Sequence, residues 1–148
     1  MEQTLVEQTI ALSDWCEESL KSTVSILELT SGADDPLAVL FRTVLEEQKK
    51  SLENLIPALR QPDVQLSDIK NDASIVYRDH EVAHAKLRAW VRMLEWNRDP
   101  RLEQSKKAEK LSYEIKSDLE KAAIQLELRF GFEEVKYVVP ALYNPEMR

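Results

Sequence analysis

The chain has 148 residues, of which 43% are hydrophobic and 32% charged, with two glycines and a net charge of −7. That length predicts one domain with a real core, and abundant charge with little glycine predicts long helices over sheets. The negative balance argues against a nucleic-acid binder, whose affinity comes largely from neutralising phosphates, and fits neutral or basic partners. Nowhere do about 18 apolar residues run together, so no membrane span is expected. The start, MEQTLVEQT, has neither a basic opening nor an apolar stretch, so no signal peptide is expected. One cysteine, Cys16, excludes an internal disulfide and fits a reducing compartment. The expected location is cytoplasmic.

The first helix is predicted over roughly 3 to 30, where Ile10, Leu12, Trp15, Leu20, Val24 and Leu27 recur at helical spacing. Thr30-Ser31-Gly32 ends it, and Asp34-Asp35-Pro36 supplies acceptors for a cap and a proline for the first turn of a second helix. That helix carries Phe41, Val44, Leu52 and Leu55, with Pro57 near its end, where a missing N–H costs least or forces a break. After the turn Gln61-Pro62-Asp63, Ser67 is the expected cap of a third helix bearing Val76, Ala83, Leu87, Val91 and Leu94. Asp99-Pro100 closes it and opens the fourth, which runs through Leu111, Ile115, Leu119, Ala122 and Leu126. Gly131 is expected to kink or cap this helix. The tail VKYVVPALYNP reads as a further helical turn or a docked arm, with Val138, Val139, Leu142 and Tyr143 forming an apolar patch.

Four amphipathic helices on short joints predict an all-α protein, an antiparallel up-down-up-down four-helix bundle over 1–148. Its tail, from about residue 131, is expected to pack on the bundle or on a partner.

Both histidines lie in DHEVAH, residues 79 to 84, where His80-Glu81-x-x-His84 spells the zinc-peptidase pattern H-E-x-x-H. Its context counts against a peptidase. Arg78 and Lys86 flank the motif, and no strand is evident before residue 75 to align a substrate. No glycine-rich phosphate loop and no convincing nucleophile–histidine order occur either.

The spacing instead puts the histidines on or beside the interior stripe, with Glu81 turned about 100° from His80. Reflecting residue numbers across each joint puts His80 level with about 117 and His84 with about 113. On the other helices it reaches Glu47 or Gln48, and Cys16 or Ser19. One mid-height polar layer is expected, with His80, His84, Asp118, Glu114, Glu47 and Cys16 as candidate metal ligands. Either the layer is a hydrogen-bonded network that sets register, or it holds iron or zinc, as helical bundles do with inward Glu, Asp and His.

Several stretches resemble known families. LELRFGFEEVKYVVPAL (126 to 142) resembles the last helix of hemerythrin-like proteins, with Glu133 at the glutamate and Arg129 where that family has histidine. Arg42, Glu46 and the PAL at 57 to 59 form a fainter echo, and His80/His84 look like the paired histidines of that family's third helix. The resemblance implies a four-helix bundle with iron, and Arg129 puts the diiron chemistry in doubt, since an Arg four residues before Glu133 makes a local ion pair. Glu81-x-x-His84 resembles half of a ferritin-like ligand set. Glu114 to Asp118, EIKSD, resembles the third-ligand helix of glutamate zincins. LELRFGFEE with Asp14-Trp15 resembles the regulator-of-sigma-D anti-sigma family, which implies a regulator that binds a basic protein surface.

Trp96 lies off the main stripe and is the aromatic best placed for an exposed contact. The functional expectation is a non-catalytic regulatory or adaptor bundle that binds a protein or itself, without nucleic acid or membrane. The alternative is a metal-binding bundle using the central layer.

Overall fold

A computed structural model of the chain describes residues 4–138. They form α1 (Leu5–Leu29), α2 (Pro36–Leu59), α3 (Leu66–Trp96), α4 (Leu102–Phe130) and a single turn, α5 (Phe132–Val135), with no strand among the described residues. The four long helices make the antiparallel up-down-up-down bundle. Helices α2 and α3 pack most intimately, as do α1 and α4; the pairs α1–α2 and α3–α4 close the ring, leaving α1 and α3 on a diagonal. None of the described helices is long and apolar enough to cross a membrane.

Local chemistry explains the boundaries, sometimes not as expected. Thr4 caps α1: its hydroxyl accepts the Glu7 N–H at 3.1 Å, and the Glu7 carboxylate accepts the Thr4 N–H at 3.2 Å. Helix α2 opens on Pro36, but the carboxylate of Asp35 does not cap it. Arg101 takes that carboxylate in a two-pronged contact at 2.8 and 3.1 Å, tying the α1–α2 joint to the start of α4. Pro57 breaks nothing, and α2 runs on to Leu59. Ser67 is not the cap of α3. The helix starts one residue earlier, and Asp68 accepts the Gln65 N–H at 2.9 Å. Nor does α4 begin at Asp99-Pro100: Asp99 instead accepts the Arg101 N–H at 2.8 Å, and the helix starts at Leu102. Gly131, at φ 92°, ends α4 in a backbone conformation open to glycine at no steric cost.

Beyond Gly131 the chain turns back onto the bundle. Val135 and Val138 are buried, and the Ser74 hydroxyl of α3 donates to the Val138 carbonyl at 3.0 Å. Val139, Leu142 and Tyr143, the rest of the expected apolar patch, lie outside the described residues.

The bundle's interior is apolar towards both ends. At one end Leu12, Cys16, Leu55, Ala73 and Leu119 converge around a void of only about 10 Å³, whose apolar walls offer water no hydrogen-bond partners. Towards the other, Phe41 meets Trp90 with ring centroids 5.3 Å apart. Each fully buried Leu or Phe in such a layer contributes about 1.5–3 kcal/mol. Between these layers the interior turns polar.

Candidate functional site

Each of the four inward stripes carries a buried polar side chain near mid-height: Thr23 on α1, Gln48 on α2, His80 and His84 on α3, and Ser112 on α4. On α1, Ser19 and Thr23 return their hydroxyls to their own helix, donating to Trp15 O at 3.0 Å and Ser19 O at 2.7 Å. Thr23 then accepts the Gln48 amide at 3.1 Å, which links α1 to α2. Across the bundle, His84 Nδ1 and the Ser112 hydroxyl are 2.6 Å apart, which links α3 to α4. Two turns of α3 further towards its N-terminus, the Tyr77 hydroxyl donates to the Leu119 carbonyl at 2.6 Å.

The two imidazoles stack along α3 with centroids 5.5 Å apart and planes 23° from parallel, and Tyr113 meets His84 edge-on at 4.5 Å. Both are nearly sealed: His80 is 3% exposed and His84 8%. Burial is the main reason their pKa values fall, to about 3 for His80 and about 4 for His84; their mutual repulsion adds to it for His80, Arg88 for His84, and Lys116 for both. Both rings are therefore neutral near pH 7. Several polar atoms here have no partner among the described residues: both nitrogens of His80, Nε2 of His84 and Oε1 of Gln48. A buried polar atom without a partner costs about 1–3 kcal/mol, so this layer lowers stability as it fixes register.

Only part of the six-residue ligand set meets here. His80 and His84 face the interior. Cys16 is also buried, but among the aliphatic side chains of the end layer, where desolvation pushes its thiol up to about 12. Ser19, about one turn further on, is buried with its hydroxyl on Trp15 O, and Thr23, a turn beyond that, is the residue of α1 that joins the layer. Glu47 is exposed, and its neighbour Gln48 points inward instead. Glu114 is exposed as well. Asp118 is half-buried, with Lys121, Glu18 and Glu114 as its charged neighbours, and desolvation raises its carboxyl pKa. Among the described residues no three His, Cys, Asp or Glu side chains gather closely enough to hold a metal ion. Arg129 donates to the Val64 carbonyl at 3.2 Å, and Glu133 pairs with Lys136 at 2.8 Å.

Two groups escaped the sequence reading. Thr23 and Ser112 sit on stripe positions between apolar residues, and that placement was the available signal. The Arg101–Asp35–Asp99 cluster was invisible because its members come from two different joints. It borders a surface cavity of about 170 Å³ with Leu29, Trp90 and Ser105 on its walls. Neither this cavity nor the void at Cys16 is lined by a histidine.

Outside the bundle, Trp96 is 89% exposed at the last residue of α3. Comparison with protein-family models, with curated proteins and with solved structures gives no match.

Proposed function

We propose that this bundle works by binding another protein, as a regulatory or adaptor module, and not by catalysis. The observation that carries this reading is Trp96. A tryptophan left 89% in water on a folded bundle forgoes a large burial term, and tryptophan is the residue most enriched among side chains that dominate protein interfaces. The titratable groups in the interior support the same reading from the other side. His80 and His84 are neutral near pH 7, and neither lines the cavity at Arg101 or the void at Cys16. The test is native mass spectrometry of the chain isolated gently from its own cells. The wild type is expected in a stoichiometric complex that Trp96→Ala dissolves. A chain found alone in both forms, the wild type at 17.1 kDa, contradicts the reading.

A metal-binding role is the second reading, and one observation favours it: His80 presents two buried, unpartnered ring nitrogens one turn from the free Nε2 of His84. Neutral imidazoles four residues apart can share zinc or iron. Elemental analysis of chelator-free protein tests it. Bound metal lost in the double variant His80→Ala, His84→Ala supports the role, and metal-free protein that gains no thermal stability from added zinc or iron removes it.

A further inference from the structure

Helix α3 carries a second apolar stripe, on the side away from the core. Val82, Ala85, Ala89, Met93 and Trp96 follow one another at intervals of three, four, four and three residues. At 100° per residue they fall within an arc of about 80°, roughly opposite the stripe of Val76, His80, Leu87 and Leu94. Val82 is 40% exposed, both alanines are exposed and Met93 is half-buried. Further back on α3, Ser74 is engaged by Val138, and Met93 rests partly against the core, whereas Val82, Ala85, Ala89 and Trp96 stand open to water.

The charge around the stripe is opposite in sign to the chain's. Arg78, Lys86 and Arg92 flank it, and Arg98 stands just past its end. Lys86, Arg92 and Arg98 form no ion pair with another described residue, in a chain of net charge −7. Glu81 and Glu95 stand further round the helix.

We infer that the outer stripe of α3 is the docking face of the adaptor, and that its occupant is an amphipathic helix of a partner protein with acidic flanks. This rests on the protein-binding reading above. Four turns of apolar residues match one face of a partner helix at the same 3–4 spacing. The two alanines allow close approach of the helix axes, Trp96 anchors one end, and the unpaired cations select carboxylates.

A second copy of this chain fits less well. An antiparallel α3–α3 pair centred on Ala89 sets Arg92 against Lys86, two like charges. The acidic outer face of α1 (Asp14, Glu17, Glu28) has the right sign, but α1 lies diagonal to α3. An α3-to-α1 contact would therefore be heterologous, building a ring or an open filament and not a twofold dimer. Nucleic acid and anionic lipid also have the right sign, but four cations are few against the chain's overall repulsion of a polyanion.

The test uses two synthetic helical peptides with the same leucine stripe at 3–4 spacing, one flanked by Glu and its twin by Lys. Each is titrated with the full chain by fluorescence anisotropy. The Glu peptide should bind at least tenfold tighter than its Lys twin, with a preference that shrinks as salt rises from 50 to 500 mM. Trp96→Ala and Ala89→Arg should each weaken binding at least tenfold. Ile124→Arg, on the outer face of α4, should leave it unchanged, with circular dichroism confirming that all variants fold. Equal affinity for the twins overturns the inference, as does an Ile124→Arg loss matching that of Trp96→Ala, or Trp96-dependent binding of anionic vesicles or an oligonucleotide but not the peptide. Should the native complex exist and survive Trp96→Ala and Ala89→Arg, this docking face fails while protein binding through another face stands.

Discussion

The two sides of α3 reverse the usual distribution of polarity. Its inner side is sealed in the bundle, yet carries two histidines, one with both ring nitrogens unpartnered. Its outer side is open to water, yet runs apolar from Val82 to Trp96. A helix shaped by stability alone would put leucine where His80 is and a charged residue where Trp96 is. The departure inward sets register: the Thr23–Gln48 and His84–Ser112 contacts join the helices in pairs at one height, and a shifted bundle would leave more polar atoms without partners. The departure outward makes a surface for something else. Stability resides on one side of the helix and recognition on the other, so substitutions should separate the two.

The largest expected effect is acid lability of the metal-free chain. Below the unfolded-state pKa near 6.5 the unfolded histidines take up protons, while His80 and His84 in the fold resist until about pH 3 and 4. Their stability contribution is thus whole above pH 6.5 and drains away as pH falls, by about 3 kcal/mol at pH 4 for His80 and by less for His84. Asp79 and Asp118, whose carboxyl pKa values are raised by burial, offset part of this in the carboxylate range. Urea unfolding followed from pH 7 to 4 checks it; His80→Gln with His84→Gln should flatten the slope between pH 6.5 and 5. A wild-type slope equal to that of the double variant would mean the rings are solvated.

Next comes Leu87→Ala on the inner stripe, expected to cost about 2–5 kcal/mol in the same assay because the cavity cannot collapse. His80→Leu, one stripe position away at similar burial, should go the other way and stabilise by about 1–3 kcal/mol at pH 7, since it removes unpartnered polar atoms. A large loss in His80→Leu would show that His80 has partners in solution. The smallest effect belongs to the outer side, where Trp96→Ala and Ala89→Arg should shift unfolding free energy by less than about 0.5 kcal/mol.

The bundle was legible because its signals are periodic and local: stripes of Leu and Val at 3–4 spacing, with Asp-Pro and Gly at the joints. Reflection across the α3–α4 joint placed His84 within one residue of Ser112. What stayed hidden depended on rotation about a helix axis, where one residue means 100°. Glu47 and Gln48 were both allowed at that height, and only the structure shows that Gln48 turns inward. Cys16 and Ser19 were both allowed on α1, yet Cys16 lies among aliphatic side chains and Thr23, a turn beyond Ser19, makes the contact to Gln48. Caps were missed for another reason. Asp35 and Asp99 look like helix starters, but Arg101 holds both carboxylates, Asp99 within its own joint and Asp35 from the other, and no local pattern encodes the second contact.

The claim that recognition lies on the outer side of α3 is tested most directly by photocrosslinking in the native cell, with a crosslinking amino acid placed in turn at residues 10, 39, 89 and 124, one on the outer face of each long helix. The account predicts one discrete heterologous adduct from residue 89 and background from the other three. Adducts from residue 10, 39 or 124 with none from residue 89, or no adduct from any position, would contradict it.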